Sequence, residues 1–229
     1  MQRRTFIGTA GIALTSIVGV GSAQRQSLDV TVQSMAVETS SGTIDEPRHE
    51  IERSGTDVSV SGVLQGSSGC SAVGFGGVRG TGRRGVIDLV RIEDGLVCTT
   101  VMTVVRYELE LSFDRGPPSE LEVRVADQPD GGPVVRSLGF EDGDGEEHHD
   151  VERDSDLDRA VVSGTVVAPD ACTEYRYAGT ERRSGGATVI LSAHRPDGLV
   201  CAQVLTPIDY ELVLGFPTAF PERIDVDVR

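Results

Sequence analysis

The stretch DGLVCTTVMTVVRYELELSF spans residues 94–113 and returns as DGLVCAQVLTPIDYELVLGF at 197–216. At a constant offset of 103 the two agree at twelve of twenty positions, among them Val97/Val200, Cys98/Cys201, Val101/Val204, Tyr107/Tyr210, Leu109/Leu212, Leu111/Leu214 and Phe113/Phe216. In the later part of the phrase Tyr107, Leu109, Leu111 and Phe113 alternate with Arg106, Glu108, Glu110 and Ser112. A period of two gives an extended strand one apolar face and one wet face. Pro207 stands where the first copy has Val104. Each phrase therefore reads as two strands meeting at a bend, the first near 97–103.

The echo extends outward. VQSMAVE (32–38) matches VRSLGFE (135–141), HEIER (49–53) matches HDVER (149–153), and VSVSGVLQGSSGC (58–70) matches AVVSGTVVAPDAC (160–172). ELEVRV (120–125) and RIDVDV (223–228) close the two copies. The chain thus divides into repeats at 28–125 and 133–229, with the polar segment 126–132 as linker. Further strands are expected near 30–38, 57–64, 71–78, 85–92 and 119–125, with counterparts one repeat later. About seven short strands per repeat, separated by glycine-rich or acidic turns and without helical periodicity, predict an all-β fold of two tandem antiparallel β-sandwiches.

Four cysteines allow three pairings, and one respects the repeat: Cys70 with Cys98 and Cys172 with Cys201. Each bridge closes a loop worth about 3–4 kcal/mol in the chain-entropy account. No close cysteine pair exists to chelate zinc.

The amino terminus, MQRRTFIGTAGIALTSIVGVGSAQ, places Arg3 and Arg4 before an apolar run and a small-residue stop. It reads as a twin-arginine export signal, residues 1–23, with a run shorter than the ~20 residues that span a bilayer. Removing it leaves 19 arginines against 36 acids, a formal charge of −17. Lysine, asparagine and tryptophan are absent. An acidic, lysine-free surface suits a protein that must stay hydrated in molar salt, where charges are screened within about 3 Å. The expectation is a halophile's protein, secreted or held at the cell surface, with no membrane insertion after signal cleavage. Nucleic acid and anionic lipid are disfavoured partners, since phosphates need a basic face.

The run SGTVVAPDAC, then VCAQVLTPIDYELVL, then a closing alternating strand resembles a group of exported immunoglobulin-like domains found in halophilic archaea and, in single copy, in bacteria. The resemblance covers both repeats and the export signal. It implies that each sandwich is immunoglobulin-like and that the protein is exported, and it implies no activity. The chain departs from antibody-type domains: no tryptophan packs on the bridge, and Tyr107 and Tyr210 follow a cysteine by nine residues instead of preceding one by two.

Candidate sites are few. EDGDGEEHHD brings Asp142, Asp144, Glu146, His148 and His149 close in sequence. Alternating carboxylates can wrap calcium, and adjacent histidines suit a transition metal. The competing and favoured reading is a solvated acidic loop without a cofactor. Arg83/Arg84 and Arg182/Arg183 read as guanidinium pairs on matching turns, able to grip carboxylates or sulfated sugars on a partner protein or surface polysaccharide. Tyr107 and Tyr210 read as core residues with bonded hydroxyls. No nucleophile elbow, phosphate loop or metalloprotease motif occurs, so no catalytic residue is assigned. The expected function is a non-enzymatic binding or structural module of the cell envelope. The alternatives are an extracellular protease inhibitor acting through a twin-arginine turn, and a metal-dependent extracellular enzyme using the acidic loop.

The charge pattern predicts that the melting temperature of the mature chain rises steeply from dilute buffer to molar salt. An unchanged value by calorimetry would refute adaptation to salt.

Overall fold

The computed structural model describes residues 28–229 except 94, 96, 128–131, 184, 197 and 218. The predicted export signal and most of the predicted linker lie outside the described residues. The described chain is all-β, in fourteen strands. The first half holds β1 (Val30–Ser41), β2 (Arg48–Ser54), β3 (Asp57–Gly66), β4 (Ser71–Thr81), β5 (Arg84–Glu93), β6 (Thr103–Phe113) and β7 (Glu120–Ala126). The second half holds β8 (Val134–Asp142), β9 (His148–Asp154), β10 (Arg159–Ala168), β11 (Glu174–Arg183), β12 (Gly186–His194), β13 (Thr206–Gly215) and β14 (Arg223–Val228).

The alternating phrase forms β6 and β13, and each sits between two antiparallel neighbours. β6 lies between β1 and β3, with β2 beyond β3; β13 lies between β8 and β10, with β9 beyond β10. The remaining strands pair as β4–β5–β7 and β11–β12–β14. The pairing scheme of the first half thus recurs in the second. β5–β7 and β12–β14 are parallel, a departure from the wholly antiparallel expectation. The chain leaves this layer for β6 or β13 and returns in its original direction, which makes the last pairing parallel.

The halves also share backbone pairs. Val32 of β1 meets Tyr177 of β11, and Phe75 of β4 meets Val135 of β8. Two composite runs result, β2–β3–β6–β1–β11–β12–β14 and β9–β10–β13–β8–β4–β5–β7, and they join where Met35 of β1 faces Leu138 of β8. Met35 and Leu138 are equivalent positions of the repeat, so the halves are related by a local two-fold axis through this contact. One apolar cluster runs through both halves, from Val58, Leu109 and Ile87 to Val162, Val189 and Leu212. The halves meet at strand edges and share a core, since β1 and β8 each have an edge that their own half leaves uncovered.

Two local expectations change. Residues 97–102 form a loop, and the strand begins at Thr103. Pro207 is the second residue of β13, opposite Val167, near a strand end where a missing N–H is tolerated.

Both cysteine pairs are bridged as the repeat requires, with Cα separations of 5.4 Å for Cys70–Cys98 and 5.6 Å for Cys172–Cys201. Two bridges and no free cysteine point to an oxidising, extracellular-type environment. Among the described residues no helix is long and apolar enough to cross a membrane.

Because Leu138 sits where the halves meet, Leu138→Ala should cost about 2–5 kcal/mol. The shared core predicts one calorimetric transition that moves as a unit; a transition that splits, leaving one half at its original melting temperature, would refute it.

Candidate functional site

The phrase that defines the repeat builds two matching loops ahead of β6 and β13. In the first, the bridge to Cys70 holds Cys98, Gly69 N–H donates to Thr99 O at 2.9 Å, and Val101 N–H donates to the same carbonyl at 2.9 Å. In the second, Cys201 is bridged to Cys172, and Ala171 and Val204 N–H donate to Ala202 O at 3.1 and 2.9 Å. Gly95 belongs to this anchoring, since a Cβ there would stand 2.7 Å from Cys70 Sγ. Gly198, its counterpart, has a φ of +79°, a conformation that favours glycine.

The anchored backbone turns apolar side chains outward. Val97 is 93% exposed and Val200 fully so; Val101 and Met102 on one loop, and Leu199, Val204 and Leu205 on the other, are exposed as well. Burying a valine or leucine is worth about 1.5–3 kcal/mol, so these side chains contribute little to stability where they stand. The duplication alone does not explain their retention. β4 and β11, aligned through their bulges at Gly76 and Ala178, share only Gly77/Gly179 over β4's length. A buried strand has diverged while an exposed Val–Cys–x–x–Val segment has not.

A second repeated feature lies at the rim of each core. Tyr107 Oη is 2.6 Å from His49 Nδ1, and Tyr210 Oη is 2.9 Å from His149 Nδ1. Each tyrosine reaches across a strand to do so, and the strand between carries Gly62 or Gly164 at the crossing. A Cβ on Gly62 would collide with the Tyr107 hydroxyl. Burial pushes both phenols well above their ordinary value and lowers His49. The bonded, buried hydroxyls agree with the expectation from sequence, but their partners were not foreseen. The signal was present in three aligned fragments, His–Glu/His–Asp, Ser–Gly and Tyr–Glu–Leu.

The candidate metal residues do not converge. Asp142 ends β8, Asp144 and Glu146 lie in the following connection, and His148 and His149 open β9. Adjacent strand residues point to opposite faces, so the two histidines diverge. His149 is engaged by Tyr210, and His148 Nδ1 lies 3.0 Å from Glu146 O. Among the described residues, three ligand atoms approach one another only at Asp170, Cys172 and Cys201, where both sulfurs belong to a disulfide. There Asp170 accepts from Cys172 N–H and the Thr173 hydroxyl, both at 3.0 Å, which together with Arg195 holds its carboxyl below the usual range.

The arginine pairs do not match either. Arg83 is exposed in the β4–β5 turn, and Arg84 opens β5 with its Nε 2.5 Å from Glu120. Arg182 lies within β11, donates to Ala219 O at 3.0 Å and covers the Phe216 ring at 5.7 Å. By cross-strand register its equivalent is Gly80: Arg182 faces Ala187 as Gly80 faces Gly85. The side chain of Arg183 lies outside the described residues.

The described surface also holds depressions, two of them of a few hundred cubic ångströms. One, of about 430 Å³, lies over β1, β2, β3 and β6 and mixes Arg48 and Arg106 with Glu38, Glu50 and Glu108, presenting no single sign of charge. The other, of about 310 Å³, lies between the halves and includes Thr39, Ser71, Arg136 and Arg159.

His49 supplies a pH test. Its pKa in the fold lies below 6.5 through desolvation, so the unfolded chain takes up the proton first as pH falls. The associated stability is complete above about pH 6.5 and is lost as pH drops toward the folded-state value. The melting temperature of wild type should therefore fall more than that of His49→Gln on acidification from neutral to about pH 5; parallel curves would overturn the assignment. No protein family, no curated protein and no solved structure matches the chain.

Proposed function

We propose that the chain is an exported, salt-adapted binding or structural module of the cell envelope. In this reading it is built from two immunoglobulin-like sandwiches and makes contact through the two disulfide-anchored loops. The observation that carries the reading is the identity of Val97/Val200 and Val101/Val204 on exposed loops, against near-complete divergence of β4 from β11. A surface rich in carboxylates keeps the remainder hydrated and unsticky, while the loops offer apolar contact that strengthens in salting-out solvents. The bridge and the shared hydrogen-bond pattern hold each loop in one shape, which lowers the ordering cost of binding. The twin-arginine signal and the acid excess support the address.

An affinity capture from native culture medium at high salt, with wild type and the Val97→Asp/Val200→Asp double variant as baits, tests this reading. A specific partner should be retained by wild type and lost on the variant at unchanged melting temperature. A partner held equally by both baits would remove the loops from the interface.

A further inference from the structure

The occupant of the loops follows from their placement, provided that the loops are contact surfaces. β1 and β8 cross antiparallel at Met35 and Leu138. The first loop joins the sheet beside the carboxyl end of β1, where Gly42 N–H donates to Met102 O at 3.1 Å and Ser41 pairs with Thr103. The second loop runs into Thr206 beside the carboxyl end of β8, where Asp142 pairs with Ile208. From the axis to Ser41 is six residues, about 20 Å at 3.3 Å per residue, and the opposite loop lies at a similar distance the other way. The two tips therefore face away from each other at opposite ends of the molecule.

Three properties restrict what such tips can hold. They are uncharged: residues 97–102 and 198–205 contain no acid and no base, in a chain of formal charge −15. They carry no Trp or Tyr and no Lys or Arg, the anchors that hold proteins at a lipid interface, and opposed tips cannot both enter one flat membrane. Each is small, with a few exposed side chains, well below the ~800 Å² per partner of a stable interface. Most of an acid-rich surface repels its own copies; the tips carry no charge of their own, and the described carboxylates beside the bridges are engaged, Glu93 by Ser68 and Ser71 and Asp170 by Cys172 N–H, Thr173 and Arg195, so two chains meet there against less opposing charge. Because the tips share Val97/Val200, Val101/Val204, the bridged cysteine and a hydrogen-bond pattern, each is also the natural counterpart of the other.

We infer that the tips bind second copies of this chain, tip to tip, so that the protein assembles into linear, open-ended strings. A two-fold contact at one tip closes only that tip, and the tip at the far end remains available. Each junction is small and apolar, so assembly is weak, concentration-dependent and favoured by molar salt, which screens the repulsion between copies.

Sedimentation velocity on the purified mature chain in molar salt, from micromolar to millimolar, tests this. The weight-average mass of wild type should climb past the dimer without a plateau. Val97→Asp alone or Val200→Asp alone should stop at twice the monomer mass, because one tip is capped, and the double variant should stay monomeric. Unchanged melting temperatures would show that these exposed substitutions leave the fold intact. A wild type that is monomeric throughout overturns the inference, and single variants that stay monomeric or pass beyond the dimer overturn the equivalence of the tips. If wild type remains monomeric while the capture experiment retains a foreign partner through the loops, the contact reading stands and the self-assembly falls.

Discussion

An open strand edge is a row of unpaired N–H and C=O groups, and meeting that demand shapes this molecule. β1 is fully paired to β6 and β8 to β13, which leaves each with an outer edge that its own half does not cover. The other half supplies the cover: β11 for β1, β4 for β8, with Met35 against Leu138 at the centre. Each of these contacts is one backbone pair, and together they draw the apolar faces of both halves into one cluster. It also fixes the polarity of everything attached, because antiparallel β1 and β8 send their carboxyl ends, and the loops beside them, in opposite directions.

The same economy appears at smaller scale in the tyrosine–histidine pairs. A glycine faces each tyrosine on the strand between; at Gly62 the end of the Tyr107 ring takes the space of a side chain, and each hydroxyl finds a partner on the edge strand. β2 and β9 are mostly exposed, and the contact ties a polar outer strand to a buried residue two strands away. The disulfides act at the other end of the sheets, holding a loop that the core does not. Burial and anchoring are thereby separated: what is buried holds the fold, and what is held by the bridges faces outward.

Much of this was legible in the sequence. Alternation through Tyr107, Leu109, Leu111 and Phe113 locates a half-wet strand because one face must be apolar, and the repeat selects the disulfide pairing. Residues 97–102 read as a strand because Val97, Val101 and Met102 have the composition of one, while the anchoring bridge that turns them outward has no local signature. The arginine pairs looked equivalent because a dipeptide recurs; register is set by bulges at Gly76 and Ala178, which are visible only once partners are known. His149 resembled a metal ligand among acids, and its partner Tyr210 lies 61 residues away. The sharing of β1 and β8 rests on isolated backbone contacts that demand no particular side chain, so no motif records it.

The meeting of Met35 with its own counterpart, Leu138, pairs a position with itself, which is the symmetry of a homodimer's contact. A chain carrying one such repeat would expose the first-strand edge and satisfy it with another molecule, at a strength set by its concentration. Joining two copies end to end makes that encounter intramolecular, at an effective concentration in the millimolar range or above. Once joined, the copies are free to differ wherever the other compensates, and neither can be lost without uncovering an edge on the one that remains.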